Sequence, residues 1–108
     1  MAKLDTEMIA MNLIASSGDA RTFAFGALEE AKKGNYEEAE KLMEASKEAA
    51  LKAHKVQTEI LTSEADGDKT EINVLLIHSQ DHLMTSLLAQ ELIKEIIILH
   101  KNKADRKE

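Results

Sequence analysis

The run VLLIHSQDHLMTSLLAQELIKEIIIL, residues 74–99, decides how this chain folds. It holds no proline and no glycine, so nothing in it breaks a helix. Val74, His78, Asp81, Thr85, Leu88, Leu92, Glu95 and Leu99 follow one another at alternating steps of four and three, a sustained heptad stripe. A second apolar stripe, Leu76, Leu83, Leu87, Ile93 and Ile97, lies elsewhere around the same cylinder. A helix that is apolar on two sides needs neighbours on two sides. Two further helices of the chain can cover one stripe. The other predicts contact with further copies, an oligomer built on this helix. The helix is expected to start between Thr70 and Asn73 and to run to about Asn102. The tail, residues 101–108, is polar and expected to fray.

Working outward, residues 5–34 read as a first helix. Asp5 supplies an N-cap, and Glu7 places a negative charge in the first turn. Apolar residues follow at Met8, Ile9, Met11, Leu13 and Ile14, then at Phe23, Phe25, Ala27 and Leu28. The middle, Ser16-Ser17-Gly18-Asp19-Ala20, is small and polar. It reads either as a break between two short helices or as a window in one long helix where something packs closely. The apolar phase continues across it, which favours one long helix. Lys32-Lys33-Gly34 closes that helix, with cations at its C-terminus and a glycine beyond it.

A second helix opens at Asn35, with Glu38 spaced for a capping box. Its inner stripe is Tyr36, Ala39, Leu42, Met43, Ser46, Ala49, Ala50, Ala53, Val56 and Ile60; its outer face is charged, from Glu37 and Glu40 to Lys52 and Lys55. The alanines imply close packing. The helix is expected to end near Ala65, before the loop Asp66-Gly67-Asp68-Lys69. Residues 1–108 then form one all-α domain, an antiparallel three-helix bundle. The Gly34-Asn35-Tyr36 corner is similar to that of tetratricopeptide repeats, but no second copy follows at a period of about 34 residues, and it reads as convergent turn chemistry.

Composition removes several functions. The absence of cysteine leaves no disulfide framework, thiolate nucleophile or cysteine-based zinc site. Aromatics are 3% of the chain, so Leu, Ile, Met and Ala must fill the core. A net charge of −6 argues against a nucleic-acid binder, which needs a basic face. The opening MAKLDTEMIA lacks the apolar core of a signal peptide, and no run of about 18 apolar residues could span a bilayer. A cytoplasmic protein with no direct membrane insertion is expected.

Three chemically capable side chains stand in the core-like third helix. His78 and Asp81 are three residues apart and His78 and His82 four apart, so they share one broad face. The pattern leaves His78 two readings. One is a hydrogen-bonded, inert histidine. The other is a nucleophile whose neutral imidazole accepts a phosphoryl group on one ring nitrogen. Asp81 is on the heptad stripe. If copies pack about a symmetry axis there, Asp81 meets its own copies, and converging carboxylates need a shared proton or a bound cation. Oxygen ligands alone favour Mg2+ or Ca2+ over zinc. A zinc site of His78, Asp81 and His82 is a further reading. His54 and His100 read as surface or boundary histidines. A helical protein-interaction module without chemistry stays open as the alternative.

The sequence resembles the IIA component of the lactose/cellobiose class of the bacterial phosphoenolpyruvate-dependent sugar phosphotransferase system (PTS). The strongest block is Ile77-His78-Ser79-Gln80-Asp81-His82-Leu83-Met84-Thr85, similar to that family's signature around its phosphorylated histidine. Supporting blocks are Ser17-Gly18-Asp19-Ala20-Arg21, Ala53-His54-Lys55-Val56-Gln57-Thr58 and Glu64-Ala65-Asp66-Gly67-Asp68. The resemblance implies a homotrimer of three-helix subunits, nine helices around the third helix of each. It implies that His78 takes a phosphoryl group from HPr and passes it to the cysteine of a IIB component. It further implies that Asp81 binds one divalent cation, Mg2+ foremost, shared by the trimer, and that Gln80 and His82 contact or orient the phosphoryl group. The sugar is not implied, because a IIA component does not touch it.

Overall fold

The computed structural model describes residues 5–68 and 71–106. They form three helices, α1 (Thr6–Lys32), α2 (Tyr36–Ala65) and α3 (Val74–Asp105), with no strand among the described residues. α1 is continuous through Ser16 to Ala20, as the uninterrupted apolar phase predicts. Asp5 caps it by accepting a hydrogen bond from the Met8 amide at 3.2 Å. Its far end closes as expected. Gly34 has φ +85°, a left-handed conformation that glycine adopts without strain, and the Gly34 and Asn35 amides return to the Ala31 and Glu30 carbonyls, both at 2.9 Å.

The capping box expected at Asn35 does not form. Asn35 is the N-cap residue of α2, but its side chain makes no cap bond. Its amide nitrogen donates instead to Glu30 Oε1 at 3.0 Å, tying the corner back to α1. That bond, reinforced by Lys33, holds the Glu30 carboxyl below the usual carboxylate range. At α3 the cap is made: Asn73 accepts from the Leu76 amide at 2.8 Å. The fraying expected of the tail is also corrected. α3 runs on through Asp105, three residues past the expected end, with Arg106 as its C-cap. Thr70, the earliest expected start of α3, and residues 107–108 of the tail lie outside the described residues.

Two core clusters set the helix directions. Leu13 packs with Ala53, Ile60, Leu76 and Leu83, while Ala24, Ala27 and Ala31 pack with Ala39, Met43 and Ile93. The start of α1 therefore lies beside the end of α2 and the start of α3, an up-down-up bundle. α1 is the central helix; α2 and α3 each pack along it and touch one another far less. Its buried face is nearly all small, Ala10, Ser17, Ala20, Ala24, Ala27 and Ala31 beside Leu13, which lets both partners approach closely. Ser46 Oγ of α2 donates to the Ala20 carbonyl at 2.6 Å and accepts from Gln90 Nε2 of α3 at 2.7 Å, so one polar bridge joins all three helices at mid-height.

The two stripes of α3 separate as their phases require. Leu76, Leu83 and Ile93 are buried in the subunit's own core, with Leu87 and Ile97 packed against it. The other face stays open: Val74, Ile77, Met84, Leu88, Leu92, Ile96 and Leu99 are exposed apolar side chains. This open stripe shares Val74, Asp81, Leu88, Leu92 and Leu99 with the heptad read from sequence. It is centred nearer Ile77 and Met84 than His78 and Thr85. His78 is accordingly on its flank.

Candidate functional site

His78 stands one turn into α3 with its side chain exposed, while His82, one turn further on, is half-buried against α1. Their rings stack nearly parallel, with centroids 5.9 Å apart and planes 6° apart. The seat for His82 is Gly18 of α1: a β-carbon built there would lie 3.6 Å from His82 Nε2. The small-residue window of α1 therefore brings bare backbone up to the histidine pair. Within that window Gly18 lies beside the histidines. Ala20 is buried, with its carbonyl bound to Ser46 of α2.

Asp81 is exposed in the middle of the open apolar stripe. Its backbone carbonyl accepts the Thr85 hydroxyl at 2.8 Å, and among the described residues its carboxylate has no hydrogen-bond or ion-pair partner. The expectation that His78, Asp81 and His82 gather on one face is only half met. The histidines come together and Asp81 points away along the stripe. Among the described residues no three His, Asp or Glu side chains converge as a metal site would need, so the zinc reading lacks a ligand set within one chain. Gln80 is half-buried and leaves α3 on the side away from His78, with its amide 3.5 Å from Ser79 Oγ. The structure thus brings His82 to His78 and does not bring Gln80 there.

Charge is divided along the bundle. In the half that carries His78, residues 5–20 of the chain and residues 74–93 of α3 contain no lysine or arginine, but do contain Asp5, Glu7, Asp19, Asp81 and Glu91. The end of α2 adds Glu59 and Glu64, and the turn after it Asp66 and Asp68, against Lys52 and Lys55. An exposed histidine in such a surround favours encounter with basic surfaces.

One contact escaped the sequence reading. His100, read as a boundary histidine, is hydrogen-bonded through Nδ1 to the Tyr36 hydroxyl at 2.8 Å, with the Lys101 ammonium 5.8 Å from the Tyr36 ring. The partners are 64 residues apart in sequence, and no local pattern links them.

Fold and site together define a small all-helical protein that presents an accessible histidine, backed by a second, beside an exposed apolar helix face. Residues 8–101 match the lactose/cellobiose-specific IIA subunit family of the PTS. The chain is 44% identical over 97 residues to the N,N'-diacetylchitobiose-specific EIIA component of Escherichia coli K12, covering 90% of this chain and 84% of that protein. It is similar to the crystal structure of the cellobiose-specific enzyme IIA from Bacillus anthracis, with 47% identity, a TM-score of 0.93, and 98% and 97% of the two chains covered. It is also similar to the IIA(chitobiose) chain in solution structures of a complex with HPr of the Escherichia coli system, with 42% identity, a TM-score of 0.81, and 94% and 98% covered. The chain belongs to the lactose/cellobiose-specific IIA family. It is a PTS IIA component of a sugar-specific system, and no described helix is long and apolar enough to cross a membrane.

Proposed function

We propose that the chain is a phosphoryl carrier in sugar uptake, with His78 as the acceptor. The observation that carries this is the exposed His78 ring, stacked on His82 in the acidic half of the bundle. HPr is the donor; a family relative is known in complex with it. A neutral ring nitrogen of His78 attacks the phosphorus of phospho-HPr. The new N–P bond forms as the donor's N–P bond breaks, and the donor imidazole keeps the electron pair. In the second transfer a cysteine thiolate of the IIB component attacks, an S–P bond forms, and the pair returns to His78. Such in-line exchanges between near-equivalent carriers need positioning more than covalent chemistry. His82 supplies some of it by backing the His78 ring and limiting its swing.

The working form is a cytoplasmic homotrimer with α3 of each subunit at the axis, because the stripe from Val74 to Leu99 has no cover among the described residues. Asp81 then faces its two copies. Three carboxylates without partners among the described residues of their own chains, set among apolar side chains, fit a hard divalent cation, Mg2+ foremost, held by Asp81 of each subunit. Such a cation would neutralise charge at the axis. The sugar is set elsewhere, and the relatives' names differ in it.

The test is incubation with phosphoenolpyruvate, enzyme I and HPr. One phosphate per chain should appear, labile in acid and stable in base, and His78→Ala should abolish it. A wild-type chain that takes no label, or a His78→Ala chain that labels normally, overturns the reading.

A further inference from the structure

A phosphoryl group on His78 would add about two negative charges to a half of the bundle that already carries Asp5, Glu7, Asp19, Asp81 and Glu91. While a basic partner is docked, its surface offsets them; once it leaves, the chain must do so alone. Before its last turn α1 holds one cation, Arg21. Gly18, Arg21 and Phe25 follow at steps of three and four, so they share one face of α1, the face on which Gly18 seats His82. Arg21 is exposed and makes no ion pair among the described residues. Its guanidinium carbon lies 5.6 Å from the centroid of the Phe25 ring, itself 45% exposed. Such a contact at an exposed site is weak and is readily exchanged for a stronger one. Arg21 stands about 4.5 Å of helix rise beyond Gly18, and helical side chains lean toward the N-terminus. Turned that way, the guanidinium comes to the level of His82. α1 and α3 start at the same end of the bundle, so the same swing leads on toward His78, whose ring stacks on that of His82.

We infer that Arg21 is the charge-compensating group of the phosphorylated chain: its guanidinium leaves the Phe25 ring and donates N–H bonds to the phosphoryl oxygens on His78. This rests on the carrier reading above. The planar fork of an arginine matches two phosphoryl oxygens at once. In the unphosphorylated chain Phe25 keeps the cation aside, and His78 stays open to the donor. When the phosphoryl group passes on, the guanidinium returns to the ring, so release strands no cation against the imidazole.

The equilibrium partition of phosphate between HPr and the full chain, read by phosphorus NMR, tests it. In Arg21→Ala the ratio of phosphorylated chain to phospho-HPr should fall about tenfold, near the low end for losing a hydrogen bond to a charged group. Phe25→Leu removes the resting place and keeps the cation, so it should raise the ratio about two- to fivefold, the worth of an exposed cation–π contact. The Phe25 ring signals should move when wild type is phosphorylated and stay in place in Arg21→Ala. An Arg21→Ala chain with the wild-type ratio overturns the inference, as do Phe25 signals that do not respond to phosphorylation of wild type. So does an Arg21→Ala chain that sediments as a smaller species than wild type, which assigns the residue to assembly. In each case wild type still labels and the carrier reading stands; a wild type that takes no label would refute that reading instead.

Discussion

Replacing Asp81 by leucine should strengthen the proposed trimer. In one chain Asp81 lies between Ile77, Met84 and Leu88, which are 52%, 59% and 54% exposed and wait for a partner. A leucine at this position joins the apolar stripe. Full burial of a leucine side chain contributes roughly 1.5–3 kcal/mol, so three copies contribute roughly 4.5–9 kcal/mol per trimer. Removing three carboxylates from a buried axis acts in the same direction, because burying like charges together costs several kcal/mol per ion. Against this stands the loss of whatever the proposed cation contributes. Sedimentation equilibrium over a dilution series, with and without EDTA, gives the comparison. Wild type should dissociate at higher concentration once the chelator is present. Asp81→Leu should stay trimeric at lower concentration than wild type and ignore the chelator. It should still accept phosphate, because Asp81 points along the stripe and away from His78. A variant that is monomeric where wild type is trimeric would refute the reasoning, because cation–carboxylate contacts would then outweigh apolar packing in holding the subunits together.

Other consequences are more local. Leu83→Ala, at a position 2% exposed in the core below His78, should cost about 2.7–5 kcal/mol in chemical denaturation. Tyr36→Phe removes the 2.8 Å bond to His100 and should cost about 0.5–1.5 kcal/mol. Amide exchange near Lys101 should quicken in that variant while labelling of His78 stays unchanged. Glu30 should govern part of the acid limb of stability. Its folded pKa lies below the ordinary one, so its contribution is present above the ordinary carboxylate pKa and is lost as pH falls through the folded value. Glu30→Gln should flatten that limb in denaturation curves taken across acid pH, and an unchanged limb would remove Glu30 from the account.

Much of this architecture was legible because periodicity and composition agree. The second apolar stripe of α3, from Leu76 to Ile97, and the inner stripe of α2 from Tyr36 to Ile60 are satisfied by one bundle, and without proline nothing contradicts them. The ends were read less well. Asn35 has the right neighbours for a capping box, but its amide finds Glu30 of the preceding helix, a competing tertiary partner that spacing does not reveal. The tail after Asn102 has no apolar face, yet the backbone ladder simply continues to Asp105. Within the site, spacing placed His78 beside His82 and overstated the company of Asp81. Residues three apart share a broad face, but the exposed stripe divides that face, with Asp81 within it and His78 at its rim. The Tyr36–His100 pair joins the start of α2 to the end of α3, and only the folded path brings them together.

The small side chains along the inner face of α1 bear on the fate of a newly made chain. Alanine and serine let helices approach closely, but each removes little apolar surface from water. Larger groups such as Val74, Leu88 and Leu99 remain outside. In the assembly proposed above, much of the favourable burial arrives only when copies meet. The fraction of chains that stay folded then depends on how many are present, by mass action. Synthesis below that threshold yields solitary subunits that open readily and are open to proteolysis. The amount of carrier surviving in the cell would therefore rise more steeply than the amount made.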